Sequence, residues 1–284
     1  MIPNRLAIRE EVVKLHRLST IPQANSRILA VLLDDRSNAE DLANELAKDQ
    51  AITAKVLRLV NSAYYGFFRQ ISSVKESVTI LGYNEIRRIV LTASVYNSLR
   101  KFGGKVIERK IFWEHSLACA AAAEILNREC ATDLPAAYFA GLLHDIGKVI
   151  LDEFFSQAFE KAFELSLEKK IPLYEAEREV MDTDHAEVGF WLAERWNLPL
   201  ILSDSICFHH APRECEHPST YSIVNLISAA NALAKILHAS ADGEMLLELP
   251  VDEGPMTASI LESAKRELLQ KKPAILNLYY GVTE

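Results

Sequence analysis

The sequence predicts an all-α protein, a helical bundle with an N-terminal helical subdomain, and three observations lead there. Apolar residues recur at three- and four-residue spacing, helix-capping residues punctuate these stretches, and no run alternates apolar with polar over strand length. With 284 residues, 49% of them hydrophobic and 25% charged, the chain has globular composition and the length for a sizeable core. A net charge of −8 argues against a duplex nucleic-acid binder. The chain also lacks a glycine-rich phosphate loop, which argues against nucleotide binding by a Rossmann or Walker route.

Taken in order, the periodicity predicts a short helix from Arg5 to His16, then one carrying Ile28, Leu29, Leu32 and Leu33 after Pro22. Ser37-Asn-Ala-Glu40 reads as a capping box opening a helix to about Lys48, and Asp49 caps the next, which runs toward Gly66. Ser73-Val-Lys-Glu76 repeats the capping box. That helix ends at Gly82, and Asn84 caps a longer one with Ile86, Ile89, Val90 and Val95. Arg87 and Arg88 on this hairpin give it a likeness to helix-turn-helix, but two arginines in an acidic chain favour an ordinary αα-hairpin.

Lys101-Phe-Gly-Gly-Lys105 interrupts the helical pattern and divides the chain into residues 1–100 and residues 101–284, with Gly103 and Gly104 marking a bend. Beyond it the pattern gives a helix from about Val106 to Cys130, one opened by Asp133 and Pro135 and ending at His144-Asp145, and an amphipathic one from Glu153 to Lys170. Gly147 is placed to let the chain turn after the His-Asp pair. Asp184 caps the helix that starts at His185, Pro199 begins the one that reaches His209-His210, and Ser219 to His238 forms another. Ala241 to Pro255 reads as a loop, and Met256 to Lys272 as the last helix.

Four cysteines without a C-x-x-C pair read as reduced thiols. The N-terminal stretch has no apolar core of a signal peptide, and no segment approaches the roughly 20 apolar residues that span a bilayer. The expectation is a cytoplasmic protein with no membrane partner.

The chemistry concentrates in the second half. Tyr138 to Val149 is an apolar run that delivers His144, Asp145 and Lys148 within five positions. His115, His185, His209 and His210 fall on neighbouring predicted helices, and antiparallel helices of a bundle can project side chains into a common centre. Five imidazoles and one carboxylate form a nitrogen-rich ligand set for one or two transition-metal ions, Fe or Mn, with Zn also suited. Asp145, with two oxygens, is the expected bridge. Adjacent helical residues point about 100° apart, so His209 and His210 should divide between two ions, or between a ligand and a supporting role. Lys148, one turn beyond His144, is placed to meet phosphate charge.

These residues resemble the HD superfamily of metal-dependent phosphohydrolases, and more closely its HDOD branch, the HD-related output domain. The resemblance covers about residues 10–240. It rests on Leu18-Ser-Thr-Ile-Pro22, Leu59-Val-Asn-Ser-Ala-Tyr-Tyr-Gly66, Ser73 through Gly82, Gly141-Leu-Leu-His-Asp-Ile-Gly-Lys148 and His209-His210. It implies an HD-like helical core in the second half with a C-terminal extension, and His115, His144, Asp145, His185, His209 and His210 as metal ligands. Two departures stand out. The closing carboxylate of the HD pattern is replaced by Ser228 or Asn231, depending on register, and the GYP signature of the cyclic-di-GMP phosphodiesterases is missing after His210.

The resemblance therefore implies a bacterial signal-transduction output protein, an interaction module for signalling partners that retains an HD-type metal centre. The alternative is a metal-dependent phosphohydrolase acting on a nucleotide or other phosphoester, with Asp145 and Lys148 as its catalytic residues.

Overall fold

The structure, a computed structural model, describes residues 3–14, 31, 36–61, 65, 67–99, 104–237 and 256–283. Among them every regular element is helical, and no helix is long and apolar enough to cross a membrane. The segments predicted around Pro22 and Ile28–Leu33, the glycine Gly103 and the loop from Ala241 to Pro255 lie outside the described residues.

The chain divides into two compact units. One comprises residues 20–101 and 273–284; the other comprises residues 1–19 and 102–272.

The smaller unit contains α2 (Ala39–Leu46), α3 (Gln50–Val60), α4 (Val74–Leu81) and α5 (Tyr83–Leu99). The first cap falls one residue later than the sequence suggested. Asn38, not Ser37, accepts from the Glu40 and Asp41 amides, and Asp41 answers by accepting from the Asn38 amide at 3.0 Å. Asp49 caps α3 as expected. Ser73 Oγ accepts from the Glu76 amide, while the Glu76 carboxylate reaches past Ser73 to the Ser72 amide. Gly82 closes α4 at φ +84°, a conformation glycine adopts without a Cβ penalty. α5 then starts at Tyr83, so Asn84 lies inside its first turn and does not cap it. Leu42, Leu46, Ile52, Val56, Ile86 and Ile89 form the core of this unit.

Asn61 explains itself locally. Its amide nitrogen donates to the Leu57 and Ile71 carbonyls and its oxygen accepts from the Ile71 amide at 2.7 Å, so the side chain clamps the turn that follows α3. The Tyr65 hydroxyl donates to Glu85 at 2.7 Å, a bond within the same unit, whereas Tyr64 lies outside the described residues. Arg88 pairs with Glu85 at 2.9 Å.

The larger unit holds α1 (Arg5–Lys14), α6 (Arg109–Glu129), α7 (Ala137–Leu143), α8 (Ile146–Phe154), α9 (Ser156–Lys169), α10 (Leu173–Met181), α11 (His185–Arg195), α12 (Leu200–Phe208) and α13 (Tyr221–Leu237). The last helix, α14 (Ala258–Thr283), continues through Pro273 well past the expected end at Lys272, and its residues are shared between the two units. α6 is buried on nearly every face from Phe112 to Leu126, which identifies it as the central helix. Its alanines let α7 and α13 pack closely on it. α1 packs on α11, burying Ile8 and Val12 while Arg5 pairs with Glu187.

Gly104 to Glu108 are non-helical and lead into α6, while Gly103, the other glycine of the expected bend, lies outside the described residues. The Asp152 carboxylate accepts from the amides of Lys105, Val106 and Ile107 at 2.8–3.1 Å, tying this segment to α8.

Two glycines set the helix crossings that matter. Gly141 lies against the Ala120 backbone, where a Cβ would stand 2.8 Å from Ala120 Cα, so α7 meets α6 almost backbone to backbone. Gly147 does not turn the chain: it lies within α8, and a Cβ there would fall 1.9 Å from the His185 carbonyl oxygen. Its role is close approach of α8 to α11. Gly147→Ala should lower stability by about 1–3 kcal/mol through overpacking, even though alanine favours helix by about 1 kcal/mol over glycine. A thermal melt checks this, and an unchanged melting temperature would show that the crossing has room to spare.

Candidate metal centre

The two crossings bring the titratable residues together. His115 lies one turn before the Ala120 contact on α6, and His144 lies one turn after Gly141, at the junction where α7 ends and α8 has not begun. His185 opens α11 with Asp184 as its cap, and its carbonyl is the group that Gly147 admits. α12 ends at Phe208, so His209 and His210 occupy the turn beyond it.

Asp145 is the hub. Its Oδ2 lies 3.3 Å from His144 Nε2 and 3.5 Å from His115 Nε2, while its Oδ1 lies 3.3 Å from His185 Nε2 and 3.5 Å from His209 Nε2. The imidazoles also face one another: His115 and His144 Nε2 are 3.3 Å apart, and His185 and His210 Nε2 are 2.9 Å apart. Two ligand sets follow, His115–His144–Asp145 and Asp145–His185–His209–His210, each with its ligand atoms within 4.8 Å of one another. All six residues expected from the sequence thus converge. His209 and His210 both fall in the second set, His209 facing Asp145 and His210 facing His185, and both lie past the end of α12.

Hydrogen bonds orient the rings. His144 Nδ1 donates to the Gly141 carbonyl and His209 Nδ1 to the Ile206 carbonyl, both at 2.8 Å, which fixes each ring with Nε2 turned inward. His185 Nδ1 and its backbone amide both donate to Glu177 Oε2, at 2.7 and 2.8 Å. Tyr174 stacks on His210 with ring centroids 4.3 Å apart.

Burial is nearly complete: His144 and His185 are 0% exposed, Asp145 1% and Lys148 2%. Removal from water works against the Asp145 anion, but His144 and Lys148 outweigh it and hold the carboxyl well below its usual range. Burial likewise opposes charge on His144, and Asp145 overrides it, raising this histidine well above its usual value. His185 is lifted to about 9, with Glu177 prevailing over burial. His209 is pushed down to about 4 by burial, and His210 is pushed well below its ordinary value by burial and then by His209. Lys148 Nζ lies 3.0 Å from Asp145 Oδ2.

Glu177 was not singled out in the sequence. It sits on α10, a helix the periodicity left unread, with Leu173, Ala176 and Met181 on the same buried stripe. A carboxylate on the apolar stripe of a short amphipathic helix is the signal that was available. Burial raises its pKa, partly countered by His185. Asn231, one of the two candidates for the missing closing carboxylate, is buried, and its Oδ1 has no hydrogen-bond partner among the described residues.

The described residues thus form an all-helical fold around a buried His/Asp cluster. The HDOD domain profile matches residues 18–212, and the chain belongs to the HDOD domain family. An HDOD domain protein of unknown function from Geobacter sulfurreducens superposes with a TM-score of 0.73 at 30% identity, over 95% of this chain and 89% of that one. A candidate signal transduction protein from Marinobacter aquaeolei VT8 superposes over 100% of this chain and 62% of its own, with a TM-score of 0.81. At 20% identity it shows the shared fold. An uncharacterized protein of Treponema pallidum (strain Nichols) is 26% identical over 258 residues, which cover 86% of this chain and 48% of that protein. The chain therefore spans about half the length of this curated relative.

Glu177→Ala should destabilise the protein by about 3 kcal/mol or more, since it strips the acceptor from a buried imidazole and a buried amide. Glu177→Gln keeps an acceptor oxygen and should lose less, measured by denaturant unfolding. Equal losses would assign the effect to packing.

Proposed function

We propose that this chain is a signalling output module whose helical surface contacts partner proteins, and that its buried centre holds two transition-metal ions bridged by Asp145. The observation that carries the centre is the division of one carboxylate between two histidine sets, Oδ2 toward His115 and His144, Oδ1 toward His185 and His209. The donor geometry fits metal ligation. Atoms bound to one ion at about 2.0–2.2 Å lie about 2.8–3.6 Å apart, and the contacts here span 2.9–3.5 Å. Asp145 Oδ1 and His209 Nε2 are buried without a hydrogen-bond partner, as atoms kept for a cation would be. Six nitrogen-rich ligands exceed a closed tetrahedral zinc set and favour iron or manganese ahead of zinc.

Three features support a module over an enzyme. His115, His144, Asp145, His185, His209 and Lys148 are buried, with His210 alone of the six ligands partly exposed, the closing carboxylate is absent, and the Lys148 ammonium is engaged by Asp145. The Marinobacter protein's candidate role in signal transduction agrees with this reading.

One observation favours a second reading, hydrolysis of a phosphoester, with Asp145 and Lys148 as the catalytic pair. Lys148 brings a cation to the centre, its Nζ 3.0 Å from Asp145 Oδ2. Bound divalent ions supply Lewis acidity and lower the pKa of water. Lys148 would hold the phosphate's charge, while Asp145 would keep the two histidine sets in register.

Metal analysis of protein purified without chelator tests both. Wild type should carry iron or manganese, Asp145→Ala should lose the ions of both sets, and His144→Ala should lose those of the first set alone. Glu177→Ala should weaken binding roughly 10–100-fold, as loss of a hydrogen-bonded support for a ligand does. Metal-free wild type would overturn the centre. On a panel of nucleotides and phosphoesters the loaded protein should show no turnover, and turnover abolished by Lys148→Ala would establish the second reading instead.

A further inference from the structure

Outside the His/Asp centre the structure gathers a second set of ligand-type side chains, Asp204, Cys215 and His217, whose ligand atoms all lie within 4.8 Å of one another. Asp204 belongs to α12, Cys215 closes the 3₁₀ turn Pro212–Glu214, and His217 follows in the loop that leads to α13. None of the three is shared with the other centre.

The arrangement is unusual for a simple hydrogen-bonded turn. Asp204 is 1% exposed, and three donors converge on its Oδ2: Thr220 Oγ1 at 2.5 Å, His217 Nδ1 at 2.9 Å and Cys215 Sγ at 3.9 Å. One carboxylate oxygen has too few lone pairs to serve three donors well. The sulfur is also 3.5 Å from Thr220 Oγ1 and 3.8 Å from the His217 carbonyl, so it has several long contacts and no short one. The His217 side chain is 50% exposed, which gives the cluster an opening to solvent.

We infer that Asp204, Cys215 and His217 form a separate zinc site. A thiolate, an imidazole and a carboxylate are zinc ligands, and three protein ligands leave a fourth tetrahedral position for water. Ligand atoms around such an ion lie about 3.3–3.8 Å apart, so on binding Asp204 Oδ2 and His217 Nδ1 move apart from 2.9 Å and Cys215 Sγ closes from 3.9 Å. As the zinc–sulfur bond forms, the Cys215 thiol proton leaves to solvent, and the ion takes the place of the donors that now crowd Oδ2. The site fastens the end of α12 to the start of α13 across the loop that begins at His209 and His210.

Cobalt(II) as a zinc surrogate tests this on the full chain after chelator treatment. A thiolate–cobalt charge-transfer band reports sulfur ligation; since Cys119 lies beside His144, the band is assigned to this site by its loss in Cys215→Ser and His217→Ala, whether or not the His/Asp centre binds metal. The band should appear in wild type, be displaced by zinc, and vanish in Cys215→Ser and in His217→Ala while the far-ultraviolet circular dichroism stays unchanged. Should Cys215→Ser fail to fold, the half-exposed His217→Ala carries the test. A wild type without the band, or a band that survives either substitution, overturns the site and leaves Asp204 as a hydrogen-bonding anchor for the loop.

Discussion

The carboxylate of Asp145 is the constraint on which the larger unit depends. A carboxylate at 1% exposure costs several kcal/mol to desolvate unless it is compensated within the protein. Compensation comes from Lys148 at 3.0 Å, one turn further along α8, and from His144 and His185 at 3.3 Å, supplied by the α7–α8 junction and α11. Helix packing in this unit therefore has to satisfy an electrostatic requirement as well as bury apolar surface. The order of helices around α6 is the order that delivers those groups.

Delivery at such distances depends on how closely the backbones approach. Ordinary helix pairs lie 8–10 Å apart, set by the side chains between them. Gly141 against Ala120 and Gly147 against His185 remove those side chains where the histidines and Asp145 must meet. Gly189 continues the arrangement on α11, where a Cβ would fall 2.6 Å from Ile206 on α12. The glycines thus belong to the centre although none carries a functional group.

Much of this was legible in the sequence, and for identifiable reasons. Asp49, Ser73 and Asp184 announced their helices because a short polar side chain before an apolar stripe has few other uses. All six ligand-type residues were legible because imidazoles on successive apolar helices are costly unless they meet. What escaped depended on three-dimensional approach. Gly147 looked like a turn residue since sequence shows only the missing Cβ, not the neighbour that requires its absence. Glu177 was hidden in a short helix whose apolar stripe is only three residues besides itself. The end of α12 at Phe208, short of His209 and His210, also escaped, since helix ends are the least certain feature of any periodic pattern.

The two units also show how a polar residue in helical sequence divides between structure and chemistry. Asn61, from the most recognisable stretch of the smaller unit, has both amide hydrogens donated and its oxygen engaged by Ile71, so its bonding capacity is consumed by the fold. Asp152 is similarly occupied by three backbone amides. Asp145 Oδ1 and His209 Nε2 are equally buried yet have no hydrogen-bond partner, although each lies within 3.5 Å of the other. Glu177 Oε1 and Asn231 Oδ1, in the same unit, are buried without a partner among the described residues as well. Unlike Asn61 and Asp152, these side chains keep bonding capacity that the fold does not consume.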